Sequence, residues 1–316
     1  MTLERAVTRN VPKPWGSTDL RPWNGQHLTE EAIGEIWFER AEMKTDPALL
    51  LKLLFTTQPL SIQVHPDDVM AHSMGLAHGK SEAWYVLSAL SSAKVALGLK
   101  RRVSAAELRS AIDAGSIANL VQWRGAKAGE VIFVPAGTIH AIGAGLVIME
   151  IQQRSEATFR LFDYGRQREL QVDDGVAAAR TGHAERQAPL RKLTKERTLL
   201  VSSPHFVLER VVLPPGSDWE LRAAAETWLF VLEGGGWVGA LDARMNETLF
   251  LEADSARVRI RAEGLVGLVA YVGADPIPDL LRSLEGESAG IPRTVREQGI
   301  VQRGPGEDRS IARSQA

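Results

Sequence analysis

One segment, residues 129–140, limits most strongly what this chain can fold into. It reads GEVIFVPAGTIH, so a β-rich run stands between a glycine turn and a proline–glycine turn, and His140 follows the second turn. β-Branched and aromatic residues favour strands, whereas Gly and Pro favour turns. A turn–strand–turn unit of this form is typical of an antiparallel barrel and delivers one imidazole to a fixed place. The sequence therefore predicts a small barrel in which distant residues build one site.

A second segment, residues 62–68, supplies two further candidate ligands. It reads IQVHPDD, and an extended strand points the side chains of Gln63 and His65 to the same face. Glu82 lies in the turn GKSEAWYV, just before an apolar strand. Each of these side chains alone is more often structural or solvated, but together with His140 they indicate a site for a divalent cation. Zinc suits imidazole-rich sites, and nickel, cobalt or manganese tolerate the same donors.

Short strands separated by Gly, Pro, Asn and Asp recur along the chain and predict a mainly β fold. The stretch 104–115 differs, because Ser104, Glu107 and Gly115 have the spacing of a capped helix. Residues 171–181 form a second candidate helix. The first series of predicted strands comprises residues 34–40, 61–65, 83–90, 94–99, 130–135, 146–152 and 159–163.

A charged linker at residues 186–197 separates this series from a second one. We assign residues 1–190 to a metal-binding barrel with short helices and 191–275 to a second barrel without a histidine pair, hence without a metal site. Residues 276–316 are expected to form a flexible tail with one helical turn at 279–284. The second series comprises residues 206–213, 220–221, 227–233, 235–240, 247–251, 257–262 and 267–272.

The totals exclude several classes of protein. The 316 residues include no cysteine, which excludes disulfides and thiolate metal ligands. A formal charge of −2 gives no reason to expect nucleic acid or an acidic membrane as partner. The start of the chain lacks the apolar core of a secretory signal, and no apolar run reaches transmembrane length. We therefore expect a cytoplasmic protein.

Three charged residues fall where they could face the same cavity. In LVIMEIQ, Glu150 interrupts an otherwise apolar strand, where burial of a carboxylate is costly unless it has a purpose. Arg160 in TFRLFD is a forked donor suited to phosphate or carboxylate. Lys80 lies two residues before Glu82 and can reach the same pocket. A solvent-facing edge position for Glu150, and an ion pair with Glu156 or Asp163 for Arg160, are the alternatives.

Four stretches carry a resemblance to a known family: PLSIQVHPDD, GKSEAWYVL, VPAGTIHAIGAG and MEIQQRSEATFRLFDYGR. In this order they resemble the type I mannose-6-phosphate isomerases, zinc enzymes of the cupin superfamily, and above all the short bacterial members. The chain departs from the family in having QQRSE where QQNSD is commoner, and Ala144 where many cupins have Asn. The resemblance implies two cupin-like β-barrel (jelly-roll) domains, the first of them catalytic, with a small helical insertion.

The resemblance also implies the site and its chemistry. One zinc ion per chain is expected on Gln63, His65, Glu82 and His140. The expected catalytic residues are Lys80, Glu150 and Arg160, and the expected substrate-binding residues are Trp15, Glu35 and Ser61. The implied reaction interconverts mannose 6-phosphate and fructose 6-phosphate by proton transfer through an enediol.

Several points stay open at the level of sequence. The general base is either Glu150 or Lys80, and the chain is either a monomer or a weak homo-oligomer. Two other classes of protein compete with the isomerase. One is a different metal-dependent cupin enzyme, such as a dioxygenase or a sugar-nucleotide epimerase, although Gln63 in place of a histidine argues against redox iron. The other is a non-catalytic sugar-binding cupin, which the full set of candidate site residues disfavours.

Overall fold

The computed structural model describes residues 2–24, 28–41 and 46–284, and most of its regular structure is antiparallel strand. The predicted mainly β fold is therefore confirmed. The strands of the first half are β1 (Thr2–Arg5), β2 (Val7–Ser17), β3 (Ile33–Glu39), β4 (Leu49–Thr56), β5 (Ile62–Val64), β6 (Glu82–Ala89), β7 (Lys94–Leu99), β8 (Val121–Gly125), β9 (Val131–Val134), β10 (His140–Ile142), β11 (Leu146–Gln153) and β12 (Phe159–Phe162).

Two sheets of the first half face each other as the walls of a barrel. One has six strands in the order β2-β3-β4-β11-β6-β9, and the other has five in the order β12-β5-β10-β7-β8. Side chains from both sheets share one core, in which Trp84 and Ile148 of the first sheet join Val95 and Ile142 of the second. Because strand side chains alternate, the residues next to these apolar positions point away from this core, to the outer faces of the two sheets.

The helices are α1 (Asp68–Ser73), α2 (Ala105–Asp113), α3 (Ile117–Leu120) and α4 (Val172–Ala178). The predicted cap is present, since Ser104 Oγ accepts a hydrogen bond from Glu107 N at 3.1 Å. Apolar residues of α2 pack with Ile62 and Val64 of β5 on the outer side of the five-stranded sheet. Gln63, between these two residues, therefore points to the barrel interior. No helix among the described residues is long and apolar enough to cross a membrane.

The strands of the second half are β13 (Arg191–Lys192), β14 (Arg197–Ser202), β15 (Phe206–Leu213), β16 (Asp218–Ala223), β17 (Thr227–Val238), β18 (Leu241–Arg244), β19 (Thr248–Glu252), β20 (Asp254–Val272) and β21 (Leu281–Ser283). Together with β1 they form one ten-stranded sheet around its own core, in which β1 pairs with β19. The first described strand thus lies in the second barrel, which the sequence did not suggest. Strand β20 is 19 residues long and pairs with β15, β16 and β17 at different points along its length.

The two halves share an apolar core. The outer face of the six-stranded sheet, including Phe38, packs against the second barrel, where the Phe38 and Phe230 ring centroids are 5.7 Å apart. The carboxylate of Glu226 crosses this boundary and accepts hydrogen bonds from the backbone N–H groups of Ala48 and Leu49 at 2.5 and 2.9 Å. These bonds fix the start of β4, the strand that carries Lys52 toward the first barrel's interior.

The last described residues differ from the sequence prediction. The helical turn predicted at residues 279–284 is wrong, because Leu281–Ser283 forms β21 and pairs with β16. Residues 277 and 278 also accept hydrogen bonds from the buried Arg197 guanidinium. The rest of the predicted flexible tail, residues 285–316, lies outside the described residues.

Candidate functional site

Three predicted ligands from three separate strands meet inside the first barrel. His65 follows β5, Glu82 begins β6 and His140 begins β10. The Nε2 atom of His65 lies 3.4 Å from Glu82 Oε2, and the Nε2 atom of His140 lies 3.3 Å from Glu82 Oε1. One donor atom from each of the three residues lies within 4.8 Å of the other two. All three side chains are buried, so the cluster is an internal feature of the barrel.

The hydrogen bonds of the two imidazoles fix which nitrogen faces the cluster. Nδ1 of His65 lies 2.8 Å from the carbonyl oxygen of Ala157, and Nδ1 of His140 lies 2.8 Å from that of Thr138. A carbonyl oxygen only accepts, so each Nδ1–H donates and each Nε2 turns its lone pair toward Glu82. Such outer hydrogen bonds orient histidine ligands in metal sites.

The cluster leaves acceptor atoms facing one another. Burial, with Lys80 nearby, lowers the pKa of His65 to about 3, and burial lowers the pKa of His140, so both rings are neutral at pH 7. Nε2 of His65 and Oε2 of Glu82 are buried without a hydrogen bond. Lone pairs of two neutral imidazoles and a carboxylate that converge in this way are the donor set of a divalent cation. The residues present therefore fit a metal.

Gln63 is the fourth candidate ligand and adjoins His140. The two residues lie opposite each other on β5 and β10, and Gln63 Nε2 is 3.3 Å from His140 Nε2. Ser61 Oγ donates to Gln63 Oε1 at 2.9 Å. A half-turn of the amide presents its oxygen to the cluster and lets its nitrogen donate to the Ser61 hydroxyl instead. Gln63 can thus complete the donor set without a change of backbone.

Lys80 and Trp84 hold the Glu82 carboxylate. Lys80 Nζ lies 3.3 Å from Glu82 Oε2, and the Trp84 indole N–H donates to Glu82 Oε1 at 3.1 Å. Burial opposes ionisation of Glu82, but the Lys80 ammonium outweighs it and keeps the pKa of Glu82 well below its ordinary value. The carboxylate is therefore ionised, as a metal ligand must be.

Glu150 is joined to the cluster by the same indole. The Trp84 N–H also donates to Glu150 Oε1 at 3.2 Å, and Lys52 Nζ lies 3.7 Å from Glu150 Oε2. Burial and the negative charge of Glu82 raise the pKa of Glu150 to about 7, although Lys52 opposes the rise. A buried carboxyl with this pKa can both release and take up a proton near neutral pH.

A single cavity opens beside the cluster. Seven of the predicted site residues line it, namely Trp15, Glu35, Ser61, Gln63, Lys80, Glu150 and Arg160. Because Lys80 and Gln63 also contact the Glu82–histidine cluster, the cavity and the candidate metal centre form one site. The further lining residues are Lys13, Trp37, Lys52, Leu54, Leu60, Ile142, Glu156, Thr158 and Arg168.

Cationic side chains outnumber carboxylates in this lining. The cations are Lys13, Lys52, Lys80, Arg160 and Arg168, against Glu35, Glu150 and Glu156. Glu35 is itself engaged: Lys13 Nζ is 3.4 Å from Glu35 Oε1, and the Trp37 N–H donates to Glu35 Oε2 at 2.6 Å. The surplus of positive charge makes the cavity suitable for an anion.

Arg160 is the least engaged of these cations. The ion pair with Asp163 that the sequence offered as an alternative does not form, because Asp163 binds Arg166 and makes two 2.7 Å hydrogen bonds with Arg168. Among the described residues the Arg160 guanidinium makes no hydrogen bond or ion pair, although it lines the cavity. Its N–H groups are therefore free to bind a ligand.

Sequence reasoning missed the cavity residues Lys13, Lys52 and Arg168. A signal existed for Lys52, which interrupts the apolar run LLLKLLFT as Glu150 interrupts its own strand. No comparable signal marked Lys13 or Arg168. Lys13 lies in a largely exposed strand, and Arg168 follows β12 in an irregular segment, where its side chain binds Asp163.

No family model matches the chain. The curated relatives and the solved structures that resemble the chain agree with one another. The chain is 33% identical over 264 residues to a mannose-6-phosphate isomerase of Streptococcus mutans serotype c, which covers 71% of this chain and 83% of that protein. It is 36% identical over 157 residues to mannose-6-phosphate isomerase ManA of Bacillus subtilis, which covers 45% of this chain and 49% of that protein.

Solved structures of mannose 6-phosphate isomerases have the same architecture as this chain. The crystal structure of the mannose 6-phosphate isomerase from Bacillus subtilis has a TM-score of 0.75 and 25% identity, with 85% of this chain and 99% of that one covered. A zinc-bound mannose 6-phosphate isomerase has a TM-score of 0.67 and 14% identity, with 86% of this chain and all of that one covered. At 14% identity the second comparison establishes the fold alone.

Proposed function

This chain belongs to the mannose-6-phosphate isomerase family, and we propose that the cavity and the Glu82–histidine cluster together form its active site. The enzyme is an aldose–ketose isomerase that interconverts mannose 6-phosphate and fructose 6-phosphate with the aid of a metal. The observation that carries the site assignment is the convergence of His65, Glu82 and His140 beside a cationic cavity. The assignment of each residue's role follows from its contacts.

The metal in this proposal is one zinc ion, held by His65, Glu82, His140 and the amide oxygen of Gln63. Two neutral imidazoles, one amide and one carboxylate leave a divalent cation with a net charge of about +1. When bound by these residues, such a cation would supply Lewis-acid stabilisation of negative charge on a sugar oxygen. The three clustered residues all lie in residues 1–190, so we assign the metal to that part of the chain. That residues 191–275 hold no metal stays a prediction from the sequence.

Glu150 is the proton-transfer residue in this scheme. Lys80, the other candidate base, is committed to Glu82, since its ammonium lies 3.3 Å from the carboxylate. Glu150 instead pairs with Lys52 and Trp84, lines the cavity, and has its pKa raised to about 7 by burial and by the charge of Glu82. Its carboxylate takes the proton from C2 of the aldose while O1 gains a proton, which gives the enediol. The Glu150 carboxyl then returns its proton to C1 while the O2 hydroxyl loses its own, which gives the ketose. Lys80 then serves as a fixed positive charge beside the reacting oxygens.

Arg160 anchors the phosphate in this scheme. Its guanidinium lines the cavity without an internal partner, and a forked guanidinium binds phosphate through two parallel hydrogen bonds. Arg168, Lys13 and Lys52 add positive charge to the same lining. Trp15, Glu35 and Ser61 complete the wall against which the sugar lies. A phosphate held at a fixed distance from Glu150 keeps the carbon acid within reach of its base.

The test is a coupled assay for fructose 6-phosphate formed from mannose 6-phosphate, with zinc-loaded protein and with chelator-treated protein. We expect turnover with zinc, loss after chelation and recovery after zinc is restored. Glu150→Gln should keep the metal and lower kcat by about 10² to 10⁴. His72→Ala, which changes an exposed histidine outside the site, is the matched control. Oxygen uptake with iron-loaded protein, and no sugar isomerisation, would instead support a dioxygenase.

Cytoplasmic location and a monomeric or weakly associated state stay predictions from the sequence.

A further inference from the structure

The turn of residues 79–81, which carries Lys80 and leads into Glu82, is held at every backbone N–H. Gly79 N donates to Asp68 Oδ1 at 2.7 Å, and Lys80 N donates to the carbonyl oxygen of Pro66 at 2.9 Å. Ser81 N donates to Gln153 Oε1 at 2.9 Å. Three successive donors outside a helix or sheet thus reach three different acceptors. The backbone of this turn is fixed by groups that lie outside it.

Two of these acceptors are joined to each other. Gln153 Nε2 donates to Asp68 Oδ1 at 2.9 Å, so this one carboxylate oxygen accepts from both Gly79 and Gln153. The backbone of Gln153 also binds the turn, since its N–H donates to the carbonyl oxygen of Ser81 at 3.1 Å. Burial opposes ionisation of Asp68, but the bonds from Gly79 and Gln153 outweigh it and lower the pKa of the carboxyl. Asp68 and Gln153 act as one unit.

The turn also lies directly against the segment that follows His65. A Cβ atom placed on Gly79 would come within 2.5 Å of the Asp67 carbonyl carbon and 2.7 Å of both Asp68 N and Pro66 O. Only glycine allows two backbones to approach so closely. Residues 66–68 and 79–81 are therefore packed as a pair, and one carries the chain on from His65 while the other leads into Glu82.

We propose that Asp68 and Gln153 are positioning residues for the metal centre. They clamp the turn of residues 79–81 onto the segment after His65 and thereby set the distance between His65 and Glu82, which come from different strands. The inference deepens the proposed function and rests on its assignment of these two residues as ligands. Asp68 and Gln153 are not among the residues that line the cavity, and their side chains bind each other and the backbone N–H groups of Gly79 and Ser81. They therefore act through the backbone that carries Lys80 and Glu82.

The experiment measures zinc affinity of chelator-treated protein by competition with a chromophoric chelator, together with amide hydrogen exchange of the turn. Asp68→Ala removes the shared acceptor and should weaken zinc binding by about 10- to 100-fold. The amides of Gly79 and Ser81 should exchange faster in this variant. Asp68→Asn keeps an oxygen that accepts from Gly79 and Gln153, so it should restore both zinc affinity and amide protection.

Two residues next to Asp68 and Gln153 provide matched controls. Asp67→Ala removes a neighbouring carboxylate that caps α1 by accepting from Met70 N and makes no side-chain bond to the turn. His205→Ala removes the group 3.5 Å from the other oxygen of Asp68 and leaves the Oδ1 bonds in place. Both variants should bind zinc with unchanged affinity. A loss of affinity in Asp67→Ala as large as in Asp68→Ala would overturn the proposal, because general loosening would then explain both.

A second variant keeps the proposal testable if Asp68→Ala does not fold. Gln153→Ala should weaken zinc binding in the same direction, and the double variant should lose less than the two single losses combined, because both residues support one turn. Unchanged zinc affinity in both single variants would contradict the clamp. These outcomes are independent of isomerase activity, so a protein that binds zinc but converts no mannose 6-phosphate would fail the proposed function and leave the clamp standing.

Discussion

Lys52 and Glu150 lie directly opposite each other on the neighbouring strands β4 and β11, and Lys52 Nζ is 3.7 Å from Glu150 Oε2. Both side chains are buried and both face the cavity. The positive charge of Lys52 lowers the pKa of Glu150, while burial and Glu82 raise it. This cross-strand pair therefore adjusts the proton affinity of the residue that we assign to proton transfer.

Replacing Lys52 by methionine should shift the pH dependence of kcat/KM. Without its ammonium the pKa of Glu150 rises further, so less carboxylate is present at neutral pH. The acidic limb of the kcat/KM profile should shift to higher pH, with a loss at fixed pH of about tenfold for each pKa unit. The measurement is kcat/KM against pH for zinc-loaded Lys52→Met and for Lys127→Met, a control at an exposed lysine. An unshifted acidic limb in Lys52→Met contradicts the role of Glu150.

The sequence predicted much of this site and failed at identifiable places. Gln63 and His65 could be selected because strand alternation puts them on one face, and His140 because of the turn before it, without knowledge of the whole fold. Glu82 had no such signal of its own and was selected only together with these residues. Lys52 could not be paired with Glu150, because the register between β4 and β11 depends on the closure of the sheet. The run LLLKLLFT shows no alternation, since both faces of β4 are buried, and such runs do not distinguish strand from helix.

The unfolding free energy of metal-free protein should depend on pH because of Glu150. Its pKa is about 7 in the folded chain and near 4.5 in ordinary surroundings, so the folded state binds more protons between these values. This contribution is fully present below about pH 4.5 and declines as pH rises through 7. It amounts to roughly 3 kcal/mol at most. Denaturant unfolding of wild-type and Glu150→Gln at several pH values measures the difference between the two.

The gap in unfolding free energy between the two proteins should therefore change in favour of Glu150→Gln as pH rises from 5 to 8. Lys127→Met serves again as the control and should follow the wild type at every pH. A constant gap would show that Glu150 has the same proton affinity in folded and unfolded protein.

Arg160→Met should separate substrate binding from metal binding. The variant removes a guanidinium that has no partner among the described residues, so the fold and the zinc content should be preserved. Loss of a charge-assisted contact to phosphate should raise KM for mannose 6-phosphate by about 10- to 100-fold. Arg166→Met, which changes a neighbouring arginine bound to Asp163 and the Pro59 carbonyl, is the comparison. Equal KM values in wild type and Arg160→Met would remove Arg160 from the phosphate site.

The second barrel should affect stability without affecting the metal. Arg197 and Glu209 are buried there and joined by two 2.8 Å hydrogen bonds, with Tyr271 O–H donating to the same carboxylate at 2.5 Å. Glu209→Ala leaves the guanidinium without a counter-charge and should lower the unfolding free energy by about 3 to 5 kcal/mol. Zinc affinity at a temperature where the variant is folded should be unchanged. The double variant Arg197→Met/Glu209→Leu should recover much of the lost stability.

The first and the last described strands show a second limit of sequence reasoning. Strand β1 pairs with β19, so that Thr2 lies opposite Glu252, and β21 pairs with β16 after a segment rich in Pro and Asp. Neither strand is long or strongly alternating, so each exists because a neighbouring strand offers it hydrogen bonds. Tertiary context of this kind cannot be deduced from a local pattern.

The most direct test of the central claim is a calorimetric titration of zinc into chelator-treated protein, followed by the isomerase assay on the same samples. We predict one zinc ion per chain in the wild type, activity that rises in proportion to the zinc bound, and neither zinc nor activity in His140→Ala. Full activity in the zinc-free wild type, or zinc binding by His140→Ala that equals that of the wild type, would contradict the account.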